Sequence, residues 1–405
     1  MAESKAQVGR RDVLKATAAA AAFTIVSSES VRGAPANSMV EVGVIGTGGR
    51  GKWIGDLFNK SGKAKTIAVH DYFADRANAA GDALKIEPAQ RFKGLDGYKQ
   101  MLAGKLDAVA IISPPYFHPQ QAADAVDAGK HVYLAKPVAV DVPGCRQITD
   151  SGKKAQSSKL SFLVDFQTRA NEFYIEAVKR VHEGLIGKPV MSHTYYHGGR
   201  LGLHAQPGTE AARLRNWVFD IALSGDIIVE QFVHVLDVTN WLLQATPIKA
   251  QGTGGRKARI DVGDCWDHFI VTYWYPNDVL VDFSGTQFSV QYGDLCVRLY
   301  GDKGTCETHY GGLVNIRAQH GGYRGGQTNS IYRDGAIANI KNFCDSIATG
   351  KLLNNAAEAA NSTLTGVLGR IAAYGGKMVT WDQMIQANEK LDPKLNVPRE
   401  GLDKV

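Results

Sequence analysis

Val40-Glu41-Val42-Gly43-Val44-Ile45-Gly46-Thr47-Gly48-Gly49-Arg50-Gly51 is the stretch on which the reading of this chain turns. A short run rich in β-branched residues leads straight into glycines spaced G-x-G-x-x-G, and a helical pattern follows over 53–59. Each glycine has its own task in such a turn: Gly46 permits the tight bend, Gly48 lets a ligand approach the backbone, and Gly51 lets helix and strand pack closely. Thr47, Gly49 and Arg50 complete a loop that opens a helix, whose N-terminus offers donors and positive potential to phosphate. Asp71 follows Gly51 by twenty residues, at the end of the next expected strand. A carboxylate there accepts hydrogen bonds from ribose hydroxyls, so the pattern reads as a dinucleotide site. It would also repel a 2′-phosphate, so NAD is expected in preference to NADP.

Outward from this motif, expected strands at 40–45, 65–69, 108–112 and 131–134 alternate with helices at 53–59, 74–83 and 120–128. Alternation of that kind predicts an α/β fold with a doubly wound parallel sheet, a Rossmann domain. In such sheets ligands lie beyond the carboxyl ends of the strands, which puts Ser113, Pro114, His118 and Lys136 on the cofactor edge. From about residue 160 the pattern changes. A helix over 172–182 precedes polar–apolar alternation at 190–197, 249–252, 269–274, 280–288 and 295–300, predicting an open, largely antiparallel sheet in an α+β domain. Further helices are expected at 226–243, 337–348 and 356–375, and the glycine-rich 321–327 stretch reads as a loop. The expected domains are a leader at 1–36, the Rossmann domain at 37–158, a substrate and oligomerisation domain at 159–375, and a segment at 376–405 that packs back on the protein.

Two further sets of residues carry chemistry. On a helix over 226–243, Asp226, Glu230, His234 and Asp237 are spaced to share one face, and charges on an otherwise apolar helix are costly unless they are paired or used. The functional reading makes His234 a proton acceptor with Glu230 beside it; the structural reading is a core histidine paired to a helix carboxylate. Zinc is a further rival for such a stripe, but no second ligand cluster accompanies it and no metal is expected. The other set is Gln167, Arg169, Tyr195, His197, Arg215 and Trp217, the amide, guanidinium, hydroxyl and aromatic groups that a polyhydroxylated ligand needs. Tyr195 and His197, two apart on a strand, share one face.

Composition bounds the alternatives. Of 405 residues 44% are apolar and 21% charged, which excludes disordered, collagenous and disulfide-knot classes. Net charge is +6, part of it in the leader, and no long basic run exists, so no nucleic-acid partner is expected. Cys145, Cys265, Cys296, Cys306 and Cys344 are odd in number and widely spaced, as core thiols are. Arg10-Arg11, a short apolar run and Ala34-Pro35-Ala36 read as a Tat-type export signal, with the periplasm or exterior as destination and no integral membrane span.

Gly46-Thr47-Gly48-Gly49-Arg50-Gly51, Ile111-Ile112-Ser113-Pro114-Pro115-Tyr116-Phe117-His118, Ala135-Lys136-Pro137 and Glu230-x-x-x-His234 together make the chain resemble the Gfo/Idh/MocA family of glucose–fructose oxidoreductase and inositol dehydrogenase. The resemblance covers nearly all of the chain after the leader. It implies a bound NAD, a small carbohydrate substrate and a homo-oligomer through the C-terminal sheet. Lys136 corresponds to the lysine of the family's Glu-Lys-Pro, with Ala135 where the family has glutamate; His234 corresponds to its proton acceptor, with Glu230 where it has aspartate. Lys136, His234 and Glu230 are therefore the expected catalytic residues. The expected activity is NAD-dependent oxidation of a secondary hydroxyl, or reduction of a ketone, on a sugar or glycoside. Two rival readings follow from the same resemblance: a glycosidase that uses bound NAD in transient oxidation, elimination and reduction, and a non-catalytic sugar-binding relative.

Overall fold

The computed structural model describes residues 39–403, so the expected export signal lies outside the described residues. Strands β1 (Val40–Ile45), β2 (Ala64–Asp71), β3 (Arg91–Lys93), β4 (Ala108–Ile111), β5 (His131–Ala135) and β6 (Phe162–Asp165) form one sheet in the order β3-β2-β1-β4-β5-β6. All its pairings are parallel. Val42, Val44, Ala108, Ala110, Val132 and Leu134 are wholly buried because helices cover both faces. Ile54 and Phe58 of the Gly49–Lys60 helix lie in one core with Ala80, Ile340 and Phe343; Met101, Ala122 and Ile148 lie in the core on the other side. The strand order reverses between β1 and β4, and at that switch point a crevice opens beyond the strand ends.

Two expected boundaries shift. β6 is hydrogen-bonded into the parallel sheet, so the Rossmann domain does not end at residue 158. The Ile331–Thr349 helix, expected in the substrate domain, buries Ala336, Ile340 and Phe343 against the Rossmann layer, since its apolar stripe faces the Gly49–Lys60 helix. The last residues also return to this layer: the Ala74 amide donates to the Leu402 carbonyl at 2.8 Å.

The second sheet runs β14-β13-β12-β11-β7-β10-β9-β8-β15, with β7 Pro189–Gly198, β8 Lys249–Gly255, β9 His268–Trp274, β10 Leu280–Gln287, β11 Asp294–Gly301, β12 Gly304–His309, β13 Leu313–Ala318, β14 Gly322–Gln327 and β15 Val379–Thr380. Only β7 and β10 pair in parallel; the other pairings are antiparallel. Its inner face, with Val271, Phe283, Val297 and Ile316, packs on the Val233–Leu243 and Ala356–Gly375 helices. The other face is open, with Ile270 and Leu280 exposed among polar neighbours. The glycine-rich stretch read as a loop is strand β14. A Cβ at Gly326 would lie 2.6 Å from the Phe173 ring, so this glycine serves close approach of a helix and not a turn. All five cysteines are buried and free.

Candidate active site

The chain leaves β1 through Gly46 at φ 83°. A Cβ there would stand 2.5 Å from the Ser113 amide nitrogen, and one at Gly51 only 1.8 Å from the Gly46 carbonyl oxygen. Loop and helix can therefore close on each other only with glycine at both positions. Gly48 is different: a Cβ would meet nothing nearer than the Arg76 guanidinium, at 3.8 Å. It caps the Gly49–Lys60 helix without any side-chain bond.

Asp71 ties this loop to β2. Its Oδ2 accepts the Thr47 amide at 2.8 Å and its Oδ1 the Phe73 amide at 3.0 Å. Each oxygen keeps a second acceptor site, and Asp71 lines a groove of about 590 Å³ with Gly46, Gly48, Arg76, Ser113 and Pro114. The buried Thr47 Oγ1 has no partner. A cradle without Cβ atoms, an orphaned hydroxyl and a carboxylate with spare acceptor capacity fit a dinucleotide whose ribose meets Asp71.

Ile112, Ser113 and Trp217 line both this groove and a second one of about 1430 Å³, so the two are contiguous. Lys136, Gln167, Tyr196, Glu230, His234 and Tyr310 face the second groove. The expected continuous helix over 226–243 is broken here into Ile227–Glu230 and Val233–Leu243. The Phe232 amide bonds back to Ile227 O at 3.0 Å and the His234 amide to Gln231 O at 3.3 Å. In an unbroken helix the His234 amide would take Glu230 O; the break frees that carbonyl, and Lys136 Nζ donates to it. Nζ also reaches Glu230 Oε1 at 3.1 Å. Glu230 is thus the partner of Lys136, not of His234, and the Lys136–Pro137 peptide that follows is cis.

His234 stands apart. Its ring lies 5.3 Å from Tyr310 and 6.4 Å from Phe166, and its buried Nδ1 has no hydrogen-bond partner. Burial, with the charges of Lys136 and Arg50 added, holds the imidazole well below the usual histidine range, so it is neutral near pH 7. Burial likewise lowers Lys136. A neutral imidazole and a desolvated ammonium face one cavity.

The N-terminal half matches the description "Oxidoreductase family, NAD-binding Rossmann fold" over residues 40–162, and the second half matches "GFO/IDH/MocA C-terminal domain" over residues 174–307. The chain belongs to the Gfo/Idh/MocA oxidoreductases. An inositol 2-dehydrogenase of Klebsiella pneumoniae is 28% identical over 280 residues, covering 69% of this chain and 76% of the relative. Among solved structures, the scyllo-inositol dehydrogenase of Lactobacillus casei with NAD(H) and scyllo-inositol bound shares the fold at TM-score 0.67 and 20% identity, over 85% of this chain and all of the other. The aldose–aldose oxidoreductase of Caulobacter crescentus does so at TM-score 0.69 and 17% identity, over the same shares.

Against this Gfo/Idh/MocA framework the remaining expected residues divide. Gln167 faces the second groove, held by Tyr310 Oη at 3.2 Å, and Trp217 lines both grooves. Arg50 turns from the glycine loop into the second groove, pairs with Asp165 and lies against the mutually stacked Trp53 and Tyr332 rings. Asp165 stands in register with Ala135 on the neighbouring strand. His118 lines neither groove: its nitrogens lie 2.7 Å from Ser113 O and 2.8 Å from Pro137 O, bracing two strand-end loops, and burial pushes it down to about 4. Arg169 is also structural, since Asp237 takes its guanidinium at 2.8 and 2.9 Å and Trp241 covers it. Asp226 and Asp237 do not share the groove with Glu230 and His234. Asp226 accepts Tyr374 Oη at 2.6 Å and Asp237 accepts Ser362 Oγ at 2.7 Å, both out of solvent.

Tyr195 and His197 share a strand face, as expected, but it is the open outer face. They stack on each other at 5.5 Å, opposite Cys296 and Asp294. Tyr196 takes the inner face and the groove, against Phe232. Arg215 stands at the first groove, not the second, paired to Asp75. Tyr310 and Asp165 are the site residues that the sequence reading missed. Among the described residues no group of three or more His, Cys, Asp or Glu is placed to hold a metal, and no helix is long and apolar enough to cross a membrane.

Proposed function

We propose that this chain is an exported, NAD-dependent oxidoreductase acting on a secondary hydroxyl, or the corresponding ketone, of a sugar or related polyol. When bound, NAD supplies the hydride acceptor. The observation that carries the reading is the uncharged, unpartnered His234 in a cavity contiguous with the Asp71 groove. His234 takes the hydroxyl proton as the substrate C–H bond is broken, and Lys136 Nζ, oriented by Glu230, stabilises the developing alkoxide. Gln167, Tyr196 and Tyr310 supply hydrogen-bonding groups and an aromatic wall for a polyhydroxylated ring. Asp71 favours NAD over NADP, Arg10-Arg11 supports the Tat route, and the open outer sheet face supports a homo-oligomer.

A second reading, the glycosidase that recycles its NAD, is favoured by the walling-in of the adenosine end of the first groove described below. The test is an assay of purified protein with NAD and a panel of inositols, aldoses and aryl glycosides. NADH formation with a free polyol is the expected result. Aglycone release without added NAD and without net NADH supports the second reading, and inertness of nucleotide-loaded protein toward every member contradicts both.

A further inference from the structure

The first groove is walled by more than the Rossmann domain. Leu214 and Trp217, from beyond the parallel sheet, form one wall. Between them Arg215 lies over the Phe73 ring at 4.2 Å and donates to both Asp75 carboxylate oxygens at 2.6 Å, with its side chain only 13% exposed. Phe73 also carries the Arg76 guanidinium on its ring at 5.5 Å. Asp75 is thereby neutralised by Arg215, and Arg76, which forms no ion pair among the described residues, is left facing the groove beside Gly48.

The opposite side is held by the end of the chain. Ala74 N donates to Leu402 O at 2.8 Å, Asp75 N to Asp403 O at 2.9 Å and Leu95 N to Arg399 O at 2.8 Å. Tyr72 Oη donates to Pro398 O at 3.0 Å. These bonds hold the two loops that carry Tyr72, Phe73, Gly94 and Leu95, all of which line the groove. Gly401 has φ 88°, and a Cβ there would lie 2.5 Å from Tyr72 O, so the tail fits only as glycine. Leu214, Phe73 and Tyr72 join Leu395, Val397 and Leu402 in one apolar cluster.

We infer that the Arg215–Asp75 pair and the 398–403 tail clamp the walls around the adenosine half of the dinucleotide, so that NADH leaves more slowly than hydride is transferred within the loaded chain. The inference rests on the proposed reading of this groove as the NAD site. Walls braced from behind by the tail and by the Arg215–Asp75 pair give way more slowly, so the clamp acts on the dissociation rate.

The test is the release of NADH from the loaded full chain, followed by fluorescence after mixing with excess NAD, together with the nucleotide retained through gel filtration. Release slower than single-turnover hydride transfer, with nucleotide carried through the column, is expected for the unaltered protein. Arg215→Met and Asp75→Asn each speed release several-fold to about tenfold, and the exchange Arg215→Asp with Asp75→Arg recovers part of it. Gly401→Ala speeds release without touching the core, which keeps the test open if the first pair of variants folds poorly. Release faster than single-turnover hydride transfer in the unaltered protein, or rates unmoved by Arg215→Met and Gly401→Ala, overturns the clamp while leaving the site reading intact. A chain that binds no dinucleotide overturns the site reading itself.

Discussion

The two sheets deliver their chemistry in different ways. In the parallel sheet Gly46, Asp71, Ser113 and Lys136 lie at or just past the carboxyl ends of strands, so topology alone locates them on one edge. The nine-stranded sheet gives Tyr310 just past the end of β12, but its main contribution comes from a face, through Tyr196, and from the broken helix laid across that face. A face is chosen by register, and one residue's shift exchanges Tyr196 for Tyr195. The first half therefore holds its ligand by connectivity and the second by packing.

Removing the cation that links the two halves has the largest expected effect. Lys136→Met takes away the alkoxide's partner and leaves Glu230 facing a desolvated cavity, so kcat falls by about 10²–10³ and the melting temperature drops as well. Steady-state rates and thermal unfolding check it; a loss of stability with kcat intact would reduce Lys136 to a strut. Next in size is Asp71→Ala, which removes two ribose acceptors and the charge that opposes a 2′-phosphate. Isothermal titration is expected to show NAD binding weakened by about tenfold or more and the NAD/NADP preference relaxed. Equal affinity for both nucleotides in the unaltered protein would break the Asp71 assignment.

The face argument predicts an asymmetry between neighbours. Tyr196→Phe raises KM for the polyol several-fold through a lost hydrogen-bonding group, whereas Tyr195→Phe leaves kcat/KM unchanged and acts on the oligomer if on anything. Equal effects would mean that the register does not divide site from surface. The smallest effect is on stability. Burial raises the Asp226 carboxyl from 3.8 to about 6, against the hydrogen bonds of Tyr374 and two amides. A group raised in the folded state binds its proton more tightly there, so its contribution is present below about pH 4 and is lost as pH rises through about 6. Asp226→Asn should flatten that part of the melting-temperature profile, while retention of the slope would assign it to another group.

The same contrast accounts for what was legible. β1, the 172–182 helix and the 356–375 helix were readable to the residue because their apolar periodicity matches a single buried face, and the glycine loop because its spacing has one steric solution. β14 was not, since a glycine used for close approach, as at Gly326, looks like a turn glycine. The break at Gln231 left no mark in the apolar pattern, which continues through Phe232 and Val233; only the carbonyl taken by Lys136 explains it. Tyr195 was preferred to Tyr196 because β7 is polar on both faces, with Ser192 and Thr194 inward and His193 and His197 outward. His118 and Arg169 illustrate the complementary failure: residue types suited to ligands were consumed by backbone carbonyls and by Asp237.

The central claim is that His234 is the uncharged base of the joined grooves. It is tested most directly by single-turnover hydride transfer in NAD-loaded protein, followed against pH for the unaltered chain and for His234→Ala. Because the folded imidazole titrates well below 6.5, the rate of the unaltered protein should hold as pH falls through that value and decline only below it. His234→Ala should lower the rate by about 10²–10⁴ and abolish the acidic limb, with NAD affinity nearly intact. A His234→Ala protein that keeps its rate and its pH profile while melting at a lower temperature would make the histidine a core residue and place the base elsewhere in the second groove.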